Sequence, residues 1–276
     1  MNSPNQFKPK DGVVEVSPAS FGWQYLSFKT VVLKAGEQLS NQQTENQEVA
    51  LVPISGWLEV EVDGQKITLK RTSVFEELPH VLYMPPKTAY SVVAQTNCHF
   101  ALGSAPASGL YPFRVFTPPE MKIELRGGAN AVRQVNHILG PDLPAERLVL
   151  FEVYTPSGNW SGIPPHRHDG LRGSKYVEET YFYQIEPKDV GWAVHRNYSP
   201  EHDLDELLLV KNGDLVLTPV GFHPVSAPPG SNVYFLNFLA GDTTPEERAF
   251  APVDDTDWAW LRQDWAGKPL KIPFGK

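Results

Sequence analysis

Short apolar runs rich in Val, Ile, Leu, Tyr and Phe, broken repeatedly by Pro and Gly, set the rhythm of the chain and predict many strands joined by turns. Such runs cover 48–53, 56–62, 66–70, 81–84 and 99–102 in the first half. A second series covers 147–155, 177–185, 191–198, 206–210, 214–218 and 231–238. The pattern reads as all-β. Only the end of the chain departs from it: Trp258, Leu261 and Trp265 fall on one face at helical spacing, which predicts a short, packed C-terminal helix in preference to a ligand-stacking surface.

The two series resemble each other. Trp57-Leu-Glu-Val-Glu-Val-Asp-Gly leads to Tyr83-Met-Pro-Pro-Lys-Thr-Ala-Tyr much as Glu206-Leu-Leu-Leu-Val leads to Leu217-Thr-Pro-Val-Gly-Phe-His. Duplication accounts for this economically. The Pro-rich stretch Tyr111-Pro-Phe-Arg-Val-Phe-Thr-Pro-Pro-Glu is a poor central strand, so the boundary is placed near residue 120, giving units 1–120 and 121–276. Where the second copy has His223 the first has Tyr90 and its neighbours, so the first copy is expected to hold no metal.

With 276 residues, 41% of them apolar, the chain can build a sizeable core. A net charge of -8 and a pI near 5.5 exclude a basic stripe for nucleic acid or an anionic membrane, and an acidic ligand would have to be met by a few local arginines. One cysteine, Cys98, offers no internal disulfide and suits a reducing compartment. No apolar run approaches the ~20 residues of a membrane helix, and the first residues lack the apolar core of a signal peptide. A cytoplasmic protein is expected.

The chemistry gathers in the second half. His166 and His168 lie two apart after a Pro-Pro pair, Glu179 sits in Val-Glu-Glu-Thr-Tyr-Phe-Tyr, and His223 closes Leu-Thr-Pro-Val-Gly-Phe-His. Side chains two apart on a strand share a face, so both imidazoles can meet one ion while Glu179 and His223 arrive from neighbouring strands. Three imidazoles and a carboxylate suit one divalent ion: zinc first, with Mn, Fe, Co or Ni as alternatives. Glu178 and Glu179 compete, since neighbours on a strand face opposite ways; Glu179 is chosen because Tyr181 and Tyr183 then share its face, leaving Glu178 outside. Arg167 alternates away from its flanking histidines and is expected to face outward.

His-x-His, then Glu, then Pro-x-Gly-x-His is the two-part motif of the cupin superfamily. Its usual spacing is stretched here by the insertion Asp169-Gly-Leu-Arg-Gly-Ser-Lys-Tyr-Val-Glu, polar and glycine-bearing, read as a loop over the barrel mouth, either a lid or a tolerated excursion. Pro164-Pro-His-Arg-His-Asp, Val177-Glu-Glu-Thr-Tyr-Phe-Tyr-Gln-Ile-Glu-Pro, Gly213-Asp-Leu-Val-Leu-Thr-Pro-Val-Gly-Phe-His and Tyr234-Phe-Leu-Asn-Phe-Leu-Ala-Gly together resemble the 5-deoxy-glucuronate isomerases of myo-inositol breakdown, sisters of the pectin-pathway uronate isomerases. The likeness runs from Arg126-Gly-Gly to Trp258. It implies a bicupin, two double-stranded β-helix (jelly-roll) barrels. It also implies conversion of 5-deoxy-glucuronate to 5-dehydro-2-deoxy-gluconate and metal ligation by His166, His168, Glu179 and His223. His195 departs from the glutamine expected in that strand.

Such an isomerisation moves a proton between adjacent carbons, and the enediolate on the way needs a cation and a base. Glu206, Tyr181 and Tyr183 are the candidate acid–base groups, with His195 behind them. Arg196, Arg133 and Arg126 are the candidates for a substrate carboxylate, because arginine offers a bidentate fork. Other classes stay open: a dioxygenase using Fe or Mn at the same ligands, a pectin-pathway keto-uronate isomerase, or a non-enzymatic sugar-binding bicupin. A homo-oligomer is possible on any of these readings.

Overall fold

Two antiparallel barrels are built from the two series of runs, as the computed structural model, which describes residues 3–267, makes plain. The later barrel rests on a seven-stranded sheet in the order Gln6–Phe7, Leu215–Thr218, Val177–Glu186, Asn232–Gly241, Val149–Thr155, Arg133–Leu139, Lys122–Arg126. A four-stranded sheet of Trp160–Ser161, Val225–Ser226, Ala193–Ser199 and Leu204–Val210 closes over it. Tyr183, Ile185 and Phe235 of the large sheet pack on Ala193, Leu208 and Val210 of the small one. This is a jelly roll, with side chains alternating between barrel interior and outer face.

The earlier barrel is organised around one long strand. Runs 48–53 and 56–62 read as separate elements, yet the structure joins them in Gln47–Val62, whose register shifts between Pro53 and Ser55. Its first part pairs with Val81–Met84 and Cys98–Pro106, and its second with Gln65–Arg71 and Ala89–Ala94. The interior of this barrel is packed with Leu51, Leu58, Val60, Val92, Phe100 and their neighbours.

The two large sheets lean on one another through a third core in which Phe28, Val52 and Ala101 meet Phe182, Leu236 and Phe238. Contact is close enough that a Cβ on Gly103 would lie 2.1 Å from the Phe238 ring. The outer face of the central strands is therefore interior to the molecule. Glu178, expected outside, is buried there: its carboxylate accepts the backbone N–H groups of Gln24, Tyr25 and Leu26 at 2.6–3.0 Å and the Tyr176 hydroxyl at 3.0 Å. The chain's first strand also crosses over, Gln6–Phe7 pairing with Leu215–Thr218 at the edge of the later sheet.

Among the described residues all helical segments are short 3-10 turns, and no helix is long and apolar enough to cross a membrane. The C-terminal helix is one such turn, Ala259–Arg262. Four residues cannot carry a buried stripe, so Trp258, Leu261 and Trp265 do not fill a core as expected. They line an apolar groove of about 370 Å³ with Trp160 and Leu207.

Candidate metal centre

Three imidazoles are oriented by the same device. The Nδ1 atoms of His166, His168 and His223 lie 3.2, 2.8 and 3.3 Å from the carbonyl oxygens of Pro164, Val177 and Gly221. A carbonyl only accepts, so each Nδ1 carries a proton and each Nε2 is turned toward the other ligand candidates. Ligand atoms of His168, Glu179 and His223 all lie within 4.8 Å of one another. Glu179 Oε2 is 2.9 Å from His168 Nε2 and 3.3 Å from His223 Nε2, and the latter atom is buried without a hydrogen bond. His166 stands beside them, its ring centroid 5.0 Å from that of His223.

Burial, and then the neighbouring His168, pulls the His166 pKa down to about 4. His223 is pushed well below the usual range by burial and the surrounding imidazoles. For His168 burial acts in the same direction, but the Glu179 carboxylate outweighs it and the pKa is raised. Two imidazoles kept neutral by burial, a third turned onto a shared carboxylate, and an orphaned buried nitrogen fit a divalent ion of the first transition row.

What surrounds the ligands explains their placement. Gly221 has φ +80°, and a Cβ there would lie 2.1 Å from the Tyr198 carbonyl oxygen; the tight turn that delivers His223 admits only glycine. Its N–H donates to Asp169 Oδ2 at 2.7 Å, and Asp169 in turn holds Arg167 through two bonds of 2.8 and 2.6 Å. Arg167 does alternate away from the histidines but is not outward: it is fully buried over the Phe222 ring at 5.0 Å and pairs with Glu201. The insertion after His168 is folded onto this network. Gly170 and Lys175 bond across it, Arg172 pairs with Glu201 and Lys175 with Glu247, so it forms a pinned hairpin leading from His168 to Glu179.

A cavity of about 220 Å³ opens beside the ligands, lined by His166, His168, Glu179 and Tyr181, and also by Arg126, Arg133, His137, Ser161 and Asn237. Arg133 is 8% exposed and, among the described residues, pairs with no carboxylate. Its Nη1 donates to the Ala131 carbonyl at 3.2 Å, and its guanidinium lies over Trp265 at 6.0 Å. Burial, reinforced by Arg126 and Arg262, lowers its pKa to about 10. Arg126, more exposed, is held by Glu124, which also accepts from His137 at 3.1 Å.

Four expected residues are not brought to this cavity. Arg196 lies on the far side of the small sheet, bonded twice to Asp205 and stacked on Tyr198 at 4.2 Å. Glu206 accepts from Ser3, Asn5 and Asn197 at 2.6–2.9 Å. Tyr183 and His195 are fully buried behind Tyr181, whose ring meets His195 edge-on at 4.8 Å. Asn197 Nδ2 donates to Glu206, so its Oδ1 must accept from His195 Nε2 (3.0 Å); His195 Nδ1 therefore accepts the Tyr183 hydroxyl proton at 2.7 Å. These groups form one chain of hydrogen bonds from the barrel floor to the N-terminal segment. His137 and Asn237 went unread in the sequence, although an amide inside the apolar run Val-Tyr-Phe-Leu-Asn-Phe-Leu was a signal.

Two jelly rolls in one chain, joined along their large sheets, make the protein a bicupin. More narrowly, the chain belongs to the KduI/IolB family, whose profile matches residues 2–261. It is 40% identical to a 5-deoxy-glucuronate isomerase of Geobacillus thermodenitrificans over 95% of this chain and 94% of the relative. Identity to the 5-deoxy-glucuronate isomerase of Bacillus subtilis strain 168 is 32%, over 88% and 92%. Among solved structures, an IolB-like protein from Salmonella typhimurium matches with TM-score 0.84 and 34% identity, covering 90% of this chain and 94% of that one. An oxalate decarboxylase from Lactobacillus farciminis shares the fold at TM-score 0.62 and 12% identity, over 94% and 90%.

Proposed function

We propose that the protein is a metal-dependent isomerase that converts 5-deoxy-glucuronate to 5-dehydro-2-deoxy-gluconate, the activity for which its relatives are named. One observation carries the reading to this site: His166, His168 and Glu179, three of the four expected ligands, and a buried arginine free of any carboxylate, among the described residues, line the same cavity. A sugar acid has two ends, a carbonyl with its neighbouring hydroxyl and a carboxylate, and the cavity offers a partner for each. The later unit, 121–276, carries this chemistry, and the earlier unit, 1–120, buttresses it.

His166, His168, Glu179 and His223 would hold the ion, zinc first and Mn, Fe, Co or Ni as alternatives. Bound there, it supplies Lewis acidity to a carbonyl oxygen. Arg133 binds the carboxylate through its planar fork, and its burial keeps water from competing. Arg126, already engaged by Glu124, adds positive potential at the mouth. Tyr181 is the acid–base group that faces the cavity: burial and then Glu179 hold its hydroxyl protonated, so it can donate and retrieve a proton at the reacting oxygens. Tyr183, His195, Asn197 and Glu206 act behind it as positioning residues. Lone, buried Cys98 supports the cytoplasmic placement.

The test is to supply 5-deoxy-glucuronate and the pectin-derived keto-uronate separately, without oxygen, and to follow products by NMR. Turnover of the first alone is expected. Turnover only in the presence of oxygen, or only of the second, would overturn the assignment.

A further inference from the structure

Along the large sheet the cavity wall is polar at both ends and apolar in between. On Arg133–Leu139 the side chains of Arg133, Val135 and His137 alternate toward it. Val135 stands directly opposite Val153, and Val153 opposite Phe235, making an apolar row across three neighbouring strands. The next row holds His137, Phe151, Asn237 and Tyr181, again partner to partner, and Glu179 lies one row further. On this sheet the Val135–Val153–Phe235 row therefore lies between the row of Arg133 and that of Tyr181. Its side chains carry no hydrogen-bonding atom, and its backbone groups belong to the antiparallel ladder.

The substrate has a matching feature. The acid named for the relatives lacks an oxygen at C5, the carbon bonded to the carboxylate. If Arg133 holds the carboxylate, that methylene lies one step toward the ligands, which is where the apolar row begins. We propose that Val135, Val153 and Phe235 are the specificity-determining residues for the missing oxygen: C5 packs against them, and an acid with a hydroxyl at C5 is rejected because that group would lose water and find no partner. This rests on the functional reading above. The expected discrimination is on the order of 10²-fold, as for other apolar pockets that meet an added hydroxyl.

The experiment uses two open-chain acids reduced to the alcohol at C1, identical except for the C5 oxygen. Neither can isomerise or close into a hemiacetal ring, so calorimetric binding reads the pocket alone. The native protein should favour the 5-deoxy acid by about 10- to 100-fold. Val153→Thr and Val135→Thr, which keep side-chain shape and add a hydroxyl, should each shrink that preference at least about fivefold while melting within a few degrees of native. Equal binding of the two acids by the native protein overturns the proposal, as does a preference left intact in both variants. A native protein that isomerises 5-deoxy-glucuronate yet ignores the C5 oxygen sinks this inference alone. One that binds neither acid and turns over nothing sinks the functional reading with it.

Discussion

Arg71 and Glu152 form an ion pair between the two barrels, and both side chains are wholly buried. Arg71 Nη1 and Nη2 reach the Glu152 oxygens at 2.6 and 3.1 Å, while other guanidinium hydrogens go to the carbonyls of Pro53 and Glu77 at 3.1 and 2.9 Å. Tyr234 donates to Glu152 at 2.7 Å. In Arg71→Met the carboxylate would keep the tyrosine but lose its counter-charge at a fully buried position. Breaking one partner of such a pair costs about 3–5 kcal/mol, which for a chain of this size lowers the melting temperature by roughly 6–20 °C. Replacing both partners, Arg71→Met with Glu152→Met, removes the stranded charge, and most of that loss should return. Urea unfolding of native, single and double variants measures this. A single variant within about 1 kcal/mol of native, or a double variant as unstable as the single, would refute the clamp.

His168→Ala and His223→Ala should each lose bound metal by elemental analysis and lower turnover by more than the about 100-fold that loss of a merely supporting group costs; intact occupancy in both would remove the centre. Arg133→Met should cut kcat/KM by about 10- to 100-fold, chiefly through KM, since a charge-assisted hydrogen bond is worth about 1.5–3 kcal/mol; Arg133→Lys should recover only part, and an unchanged KM would exclude Arg133 as the carboxylate partner. His99 supplies a pH signature away from the site: burial, then Lys188, lowers its pKa from 6.5 to about 4, and its Nε2 is buried without a partner. The unfolded chain takes up that proton below pH 6.5 and the folded chain only near 4. Stability is therefore complete above about pH 6.5 and declines toward pH 4 by up to roughly 3 kcal/mol. His99→Leu should flatten that decline in denaturant titrations, and a slope identical to native would contradict it.

The clustering of these side chains was legible because it depends on spacing: two histidines two residues apart, a glutamate whose parity matches Tyr181, and a glycine that only a tight turn requires. Parity could also have separated His195 from Arg196. Neighbours on a strand cannot share a face, and the fully buried histidine sends the arginine out to Asp205. Other features depend on contacts between distant segments. Nothing near Glu206 announces that Ser3 and Asn5 will bond to it, or that the N-terminal strand will join the later sheet.

Charge itself misled, because a charged residue on a strand is ordinarily read as solvent-facing. In Val177–Glu186 and Val149–Thr155 the odd-numbered side chains Glu179, Tyr181, Val149, Phe151 and Val153 line the cavity. The even-numbered ones, Glu178, Phe182, Leu150 and Glu152, are buried against the other barrel. With both faces committed, these strands have little freedom to shift the ligands or the apolar row. Glu178 and Glu152 fix their register against the earlier unit by directed bonds that apolar contact alone would not specify. The earlier unit thus holds still the wall on which the later unit's chemistry is mounted, and loosening the Arg71 clamp should disturb turnover as well as melting.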